Sequence, residues 1–283
     1  LDHPVTYCIA LVWTLCIYIW TGDLDKATAR LDTFSKIAEA NALAPYVAAT
    51  LGVQGAIAIR AGQPGNAVAL LEESLARLQG MRYELLTTSF EISLIEGLML
   101  NAQPEKALCQ AERTIDHCHR SGDAYALPEL LRIKASILKT LDPGADQVVQ
   151  DTLLESLTLS RQQSAPSWEL RASMDLARLW LEHNKPEEAR ELLAACREQM
   201  SEGYDSLDLR QLHSLWLSLP LLLGALCFSG ASHASWDQDL YRQLGLAGKL
   251  DSRVFRKALD GYQSVRHKRK PILTIIDYSK PST

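Results

Sequence analysis

Gly22-Asp23-Leu24-Asp25-Lys26-Ala27 is a small polar turn that opens an amphipathic helix on an alanine, and it recurs along the chain. It returns as Gly62-Gln63-Pro64-Gly65-Asn66-Ala67, as Ala102-Gln103-Pro104-Glu105-Lys106-Ala107 and as Asn184-Lys185-Pro186-Glu187-Glu188-Ala189. Ala27, Ala67 and Ala107 are spaced by 40 residues, and Ala189 follows Ala107 by 82, two further periods. The skipped turn falls on Asp142-Pro143-Gly144-Ala145-Asp146, which makes five units.

The turn chemistry explains the breaks. Proline has no N–H to lose in a first helical turn, so Pro64, Pro104 and Pro186 are expected at helix starts. Gly22 and Gly62 can take the left-handed conformation that ends the preceding helix. Glu105, Glu187 and Glu188 place negative charge where a helix N-terminus favours it. The alanine that follows lets the two helices of a unit approach closely.

Between the turns the apolar period is helical, as in Leu24, Ala27, Leu31 and Phe34, in Ala107, Cys109, Ala111, Ile115 and Cys118, and in Leu170, Met174, Ala177, Trp180 and Leu181. Helix pairs are expected at about 4–20 and 23–41, 45–61 and 64–79, 83–101 and 104–120, 124–140 and 147–164, and 167–183 and 186–202. No strand pattern competes over this range. The fold class is all-α: a tetratricopeptide-like helical-hairpin solenoid of about five units, with a partly structured C-terminal tail. The period near 40 exceeds the 34 of the standard tetratricopeptide unit, so helices or loops are longer. In such a stack the first helix of each pair lines a concave face.

Helix one, Val5 to Trp20, is apolar nearly all round. A bilayer span of about 20 residues is one reading. The favoured reading is a repeat helix packed between neighbours, with one repeat missing ahead of it. The chain opens at Leu1 with no methionine, which points to a piece of a longer protein.

Charge divides the chain. Residues 1–234 hold 19 Lys and Arg against 29 Asp and Glu, whereas 235–283 hold 10 against 5. The first part is too acidic for a default nucleic-acid binder, which needs clustered cations for phosphate. Cys8, Cys16, Cys109, Cys118, Cys196 and Cys227 form no CxxC pair and no zinc spacing. They read as small buried hydrophobes in a reducing compartment. His117-Cys118-His119 cannot ligate one ion, because adjacent helix positions point about 100° apart. No motif asks for a cofactor, and there is no GxxxxGK[ST] loop.

Residues 1–209 resemble the C-terminal helical-repeat region of large bacterial predicted-ATPase regulators. Leu1-Asp2-His3-Pro4-Val5, Arg82-Tyr83-Glu84-Leu85-Leu86-Thr87-Thr88 and Leu127-Pro128-Glu129-Leu130-Leu131-Arg132-Ile133-Lys134 carry the likeness. So do Ser167-Trp168-Glu169-Leu170-Arg171-Ala172-Ser173, the run 176–180, the run 187–194, and Glu202-Gly203-Tyr204-Asp205-Ser206-Leu207-Asp208-Leu209. The resemblance implies a sensory or regulatory scaffold that binds protein or peptide on its concave face. In those proteins a winged-helix or nucleotide-cyclase domain and a P-loop ATPase come first. No enzymatic activity is expected of this chain, and a cytoplasmic location is expected for 1–209.

The remainder reads differently. Residues 211–236 contain no Asp, Glu, Lys or Arg. Within them, Leu215 to Phe228 is an apolar core followed by Ser229-Gly230-Ala231-Ser232-His233-Ala234. That is the pattern of a secretory signal, with cleavage between Ala234 and Ser235 and with Ser232 and Ala234 as the small residues. A sixth repeat helix is the alternative, against which Pro220 and Gly224 argue. Membrane contact is expected only through 211–234. Ala258-Leu259-Asp260-Gly261-Tyr262 and Lys270-Pro271-Ile272-Leu273-Thr274-Ile275-Ile276-Asp277-Tyr278-Ser279-Lys280-Pro281-Ser282-Thr283 resemble the start of murein L,D-transpeptidase catalytic-domain proteins. This alternative function, cell-wall cross-linking, needs a Cys nucleophile and a His downstream of any residue present. The chain therefore divides into 1–209, 210–234 and 235–283, most simply as a fusion of two reading frames.

Overall fold

The computed structural model describes residues 3–200 and 206–227, with side chains through 217. Among these residues the fold is all-α, a stack of helical hairpins. Unit one pairs α1 (Pro4–Thr21) with α2 (Leu24–Ala40), and unit two α3 (Ala44–Arg60) with α4 (Ala67–Gly80). Unit three pairs α5 (Thr87–Leu100) with α6 (Pro104–Ser121), unit four α7 (Leu127–Leu141) with α8 (Asp146–Gln162), and unit five α9 (Pro166–Glu182) with α10 (Pro186–Gln199). A further helix, α11 (Leu207–Cys227), follows. Two compact units divide the chain, and the first, Leu1–Gly224, contains all ten hairpin helices.

Backbone conformation marks the repeat. Left-handed residues occur at Gly22, Ala42, Gly62, Arg82, Ala102 and Gly122, one every 20 residues, and again at Ser164 and Asn184. Five of these eight are not glycine, although the conformation costs an L-residue roughly 1–2 kcal/mol. The gain is closure of the helix end. Asp23 N–H donates to the Tyr18 carbonyl, Gln63 to Ala58, Gln103 to Leu98 and Lys185 to Trp180, each binding a carbonyl the helix leaves free. The turn between α7 and α8 closes differently: Asp142 is extended, and its Oδ1 accepts the Gly144 N–H at 2.9 Å.

Pro104 and Pro186 stand at first helical positions, as the sequence led one to expect. Pro64 does not. Its carbonyl accepts the Ala67 N–H, and α4 begins only after that turn. The same turn delays α5 to Thr87 and α7 to Leu127, through Glu84 and Ala124, so these helices start three or four residues later than the periodicity alone gives.

Burial follows the period closely. Ala27, Ala67, Ala107, Val149 and Ala189 occupy equivalent positions and are all buried. Phe34, Ser74, Thr114, Ser156 and Cys196 form a second such row. The polar members keep partners: Ser74 Oγ donates to the Ala48 carbonyl at 2.9 Å and Ser156 Oγ to Pro128 at 2.6 Å. Helices approach closely where side chains are small. A Cβ on Gly52 would meet the Phe90 ring at 2.4 Å, and one on Gly55 would meet the Leu71 side chain at 2.7 Å. Replacing Ala107 or Ala189 by Leu is therefore expected to overpack the hairpin and cost about 1–3 kcal/mol. Chemical denaturation would check it, and an unchanged midpoint would contradict the packing described.

Cys8, Cys16, Cys118 and Cys196 are buried, and burial pushes the thiols of Cys16 and Cys118 up to about 11. Cys109 departs from the expectation: it lies on the outer face of α6 and is exposed. α1 packs one face on α2 and α3 through Cys8, Val12, Leu15 and Ile19, while Ile9, Trp13 and Ile17 stay exposed. It is long and apolar enough to cross a membrane by length and composition.

The boundary drawn at 209/210 cuts through α11. Leu212 is 3% exposed, and Leu209, Leu215 and Trp216 pack with it on Leu170, Met174, Leu193 and Cys196 of α9 and α10. The helix also runs through Pro220, which the sequence had set against helix formation. A proline in a helix interior costs one helical hydrogen bond, and α11 nonetheless continues past it to Cys227. Ala234 and Ser235, the expected cleavage residues, lie outside the described residues, as do the transpeptidase-like stretches 258–262 and 270–283.

Candidate functional site

The odd-numbered helices bring charged residues together on buried ground. Glu129 on α7 is 1% exposed. Its Oε2 accepts Arg132 Nε at 2.8 Å, and its Oε1 accepts Arg132 Nη2 at 3.0 Å and Arg171 Nη1 at 2.9 Å. Arg132 Nη1 continues to Asp175 at 2.8 Å, where Arg178 also binds at 2.6 Å. Arg171 Nε reaches Asp208 of α11 at 2.8 Å. Three elements, α7, α9 and α11, are thereby tied through two guanidinium groups whose planar, forked donors suit several acceptors at once.

The network also closes the solenoid on itself. Arg171 Nη2 donates to the Trp20 carbonyl at 3.2 Å, a bond spanning 151 residues. Arg60 of α3 donates to the neighbouring Ile19 carbonyl at 3.4 Å. The last turn of α1 carries no basic residue of its own, so two arginines from other units supply the cations its C-terminus favours. Trp20 packs edge-on to Trp168 with centroids 6.0 Å apart, and the Arg171 guanidinium lies 5.1 Å over the Trp168 ring. A Cβ on Gly22 would stand 3.1 Å from Leu207 Cβ. Unit one thus touches unit five and α11.

Burial raises the Glu129 carboxyl, but Arg132 and Arg171 together outweigh it and hold the group at about 2. Arg132 is disfavoured by the same burial, and Glu129 and Asp175 reverse that and raise it. Glu96 on α5 has a weaker partner, Arg60 at 4.0 Å, and there burial wins and raises the carboxyl. Glu129 and its arginines are fully committed ions, unsuited to proton transfer near neutral pH. Between Trp20, Arg60, Glu96, Tyr125, Trp168 and Arg171 lies a cavity of about 30 Å³. That is room for ordered water and not for an organic ligand.

Of the stretches that carried the family resemblance, three converge here. Leu127-Pro128-Glu129-Leu130-Leu131-Arg132 supplies Glu129 and Arg132, Ser167-Trp168-Glu169-Leu170-Arg171 supplies Trp168 and Arg171, and the stretch ending Leu207-Asp208-Leu209 supplies Asp208. No sequence reading had joined them. The signal lay in register: Ile9, Ala49, Ser89, Glu129 and Arg171 share one repeat position, and Ala49, Glu129 and Arg171 are buried. Opposite charges buried at that position in the consecutive units four and five can only pair. His117, Cys118 and His119 point apart, with only Cys118 buried, and among the described residues no three His, Cys, Asp or Glu side chains are grouped for a metal.

No family model matches the chain, and no curated protein is similar to it. Among solved structures it is similar to a kinesin light chain-type protein of Podosopora anserina with nearly identical TPR-like repeats. The identity is 18% over 70% of this chain and 96% of that one, with a TM-score of 0.46. A single-residue variant of that protein matches at 18% identity over the same shares, with a TM-score of 0.47.

Proposed function

We propose that the chain is a protein-interaction scaffold, the sensory or regulatory repeat arm of a signal-transducing ATPase or transcriptional regulator. The observation that carries the reading is the aromatic and arginine cluster formed by α1, α3, α9 and the turn before α7. Trp20, Tyr125, Trp168, Arg60 and Arg171 line one small cavity, and Tyr125 is 40% exposed at its edge. Trp, Tyr and Arg are the side chains that concentrate binding energy at protein interfaces. Because the cluster's acids and bases largely neutralise one another, the partner is an apolar or aromatic segment of a protein rather than a polyanion.

The resemblance of 127–134, 167–173 and 202–209 to the repeat arm of ATPase regulators supplies the finer assignment. Those stretches supply Glu129, Arg132, Trp168, Arg171 and Asp208, which tie α7, α9 and α11 to the end of α1. In the cell, a photo-crosslinking residue in place of Tyr125 is expected to capture one discrete protein partner. The same residue in place of Leu154, on the outer face of α8 and also exposed, is expected to capture none. Equal capture at both positions, or none at Tyr125, would refute the concave-face assignment.

A further inference from the structure

The exposed stripe on α1 occupies a repeat position that is buried in units three and four. In unit two Val53 is buried and Thr50 and Ile57 are half-buried, and in unit five Ala172 and Leu179 are buried and Asp175 is half-buried. Ala10, Trp13 and Ile17 are exposed, Trp13 at 39% and Ile17 at 53%. Moving 80 residues along, two periods, gives Phe90, Ser93 and Gly97 of α5, all buried. One period more gives Leu130, Ile133 and Ile137 of α7, again all buried.

What covers those rows is on view. The Phe90 ring lies against Gly52 of α3, and a Cβ on Gly97 would strike Ile59 of α3 at 2.7 Å and Val68 of α4 at 3.0 Å. In unit three the row is the face turned toward the unit before it. On α1 that face is apolar, on a helix without a single Asp, Glu, Lys or Arg. At the other end of the stack the corresponding forward face of unit five is already occupied, by Leu209, Leu212, Leu215 and Trp216 of α11.

We infer that the Ala10–Trp13–Ile17 face is a stacking surface for one more helical hairpin of the same repeat. That hairpin covers α1 as α3 and α4 cover α5. The geometry fits that occupant better than a second copy of the chain. A standard interface takes roughly 20–30 residues a side, whereas this face is a few side chains on one helix. Stacking within a continuous array needs no such area, because the connecting turn supplies the effective concentration.

The surface can be tested by extending the chain in register. A copy of residues 3–42, one full period, is placed directly before His3 of the 283-residue chain, so that the original α1 becomes internal. The extended chain is expected to melt about 3 °C or more above the original. Trp13→Asp in the internal copy is expected to abolish that gain, while the same substitution leaves the original chain's midpoint within about 1 °C. Trp13 emission, read as the difference from Trp13→Phe, should shift to the blue only in the extended chain. Equal cost of Trp13→Asp in both chains, or no gain and no blue shift on extension, would overturn the inference. So would dimerisation of the original chain that Trp13→Asp abolishes, or its binding to neutral phosphatidylcholine vesicles through the same residue.

Discussion

Arg171→Met is expected to destabilise the solenoid by about 3–5 kcal/mol, measured by equilibrium denaturation. The substitution keeps much of the volume but removes a cation that serves three acceptors on three other helices. Glu129 keeps only Arg132, Asp208 loses its partner, and the Trp20 carbonyl loses one donor. The cost comes chiefly from Glu129, a buried carboxylate left half-compensated, since removing one partner of a buried pair is far more damaging than removing both. Arg77→Ala serves as the comparison: its pair with Glu73 is half-exposed and should cost under about 1 kcal/mol. A loss below about 1 kcal/mol for Arg171→Met would mean the network contributes little.

The same network fixes a pH dependence. Glu129 ordinarily titrates near 4.5 and is held at about 2 in the fold. Its contribution is therefore complete above the unfolded value and is lost as pH falls from about 4.5 toward 2. The lowering corresponds to roughly 3 kcal/mol. Glu129→Gln should flatten that acid limb while lowering stability at neutral pH. An acid limb of unchanged steepness would assign the titration to other carboxylates.

The architecture was legible because the turns carry it. A six-residue signature at a fixed period needs no knowledge of packing, and four of its five occurrences stand out by composition. The fourth unit was weaker because Val149 replaces the usual alanine and Asp142 closes the turn by its side chain. Helix starts at Ala67, Thr87 and Leu127 slipped because a three-residue turn precedes each, and apolar periodicity does not distinguish a turn from a first helical turn. The charged clamp was hidden by the usual equation of charge with exposure. Glu129 and Arg171 sit 42 residues apart, so only alignment of the units brings them opposite one another. The alanine rows were easier, since small residues at a fixed period mark close helix contacts directly.

α11 gives the second large effect, and it reverses the separability implied by a boundary at 209/210. A chain ending at Arg210 would retain only the first four residues of α11, too few to hold a helix, because nucleation is unfavourable and short helices do not persist. Asp208 would then leave Arg171, and Leu212, Leu215 and Trp216 would be absent from the core they cover. The cation–π contact of Arg197 over Trp216, at 5.5 Å, would go as well. Burying Leu212 alone contributes about 1.5–3 kcal/mol, and the partly buried Leu209, Leu215 and Trp216 add to it. A chain ending at Arg210 should consequently be less stable than one ending at Leu217 by about 3–6 kcal/mol, as an upper range. The comparison is made by thermal melts followed at 222 nm. Loss should begin in unit five, whose Leu170, Met174 and Leu193 would be uncovered, and amide exchange in α9 and α10 should accelerate before that in α3 to α6. If both chains melted together, α11 would be an appendage on a finished solenoid. If the shorter one melts first, α11 is the cap that ends the stack, and the helical part of the apolar segment belongs to the repeat domain.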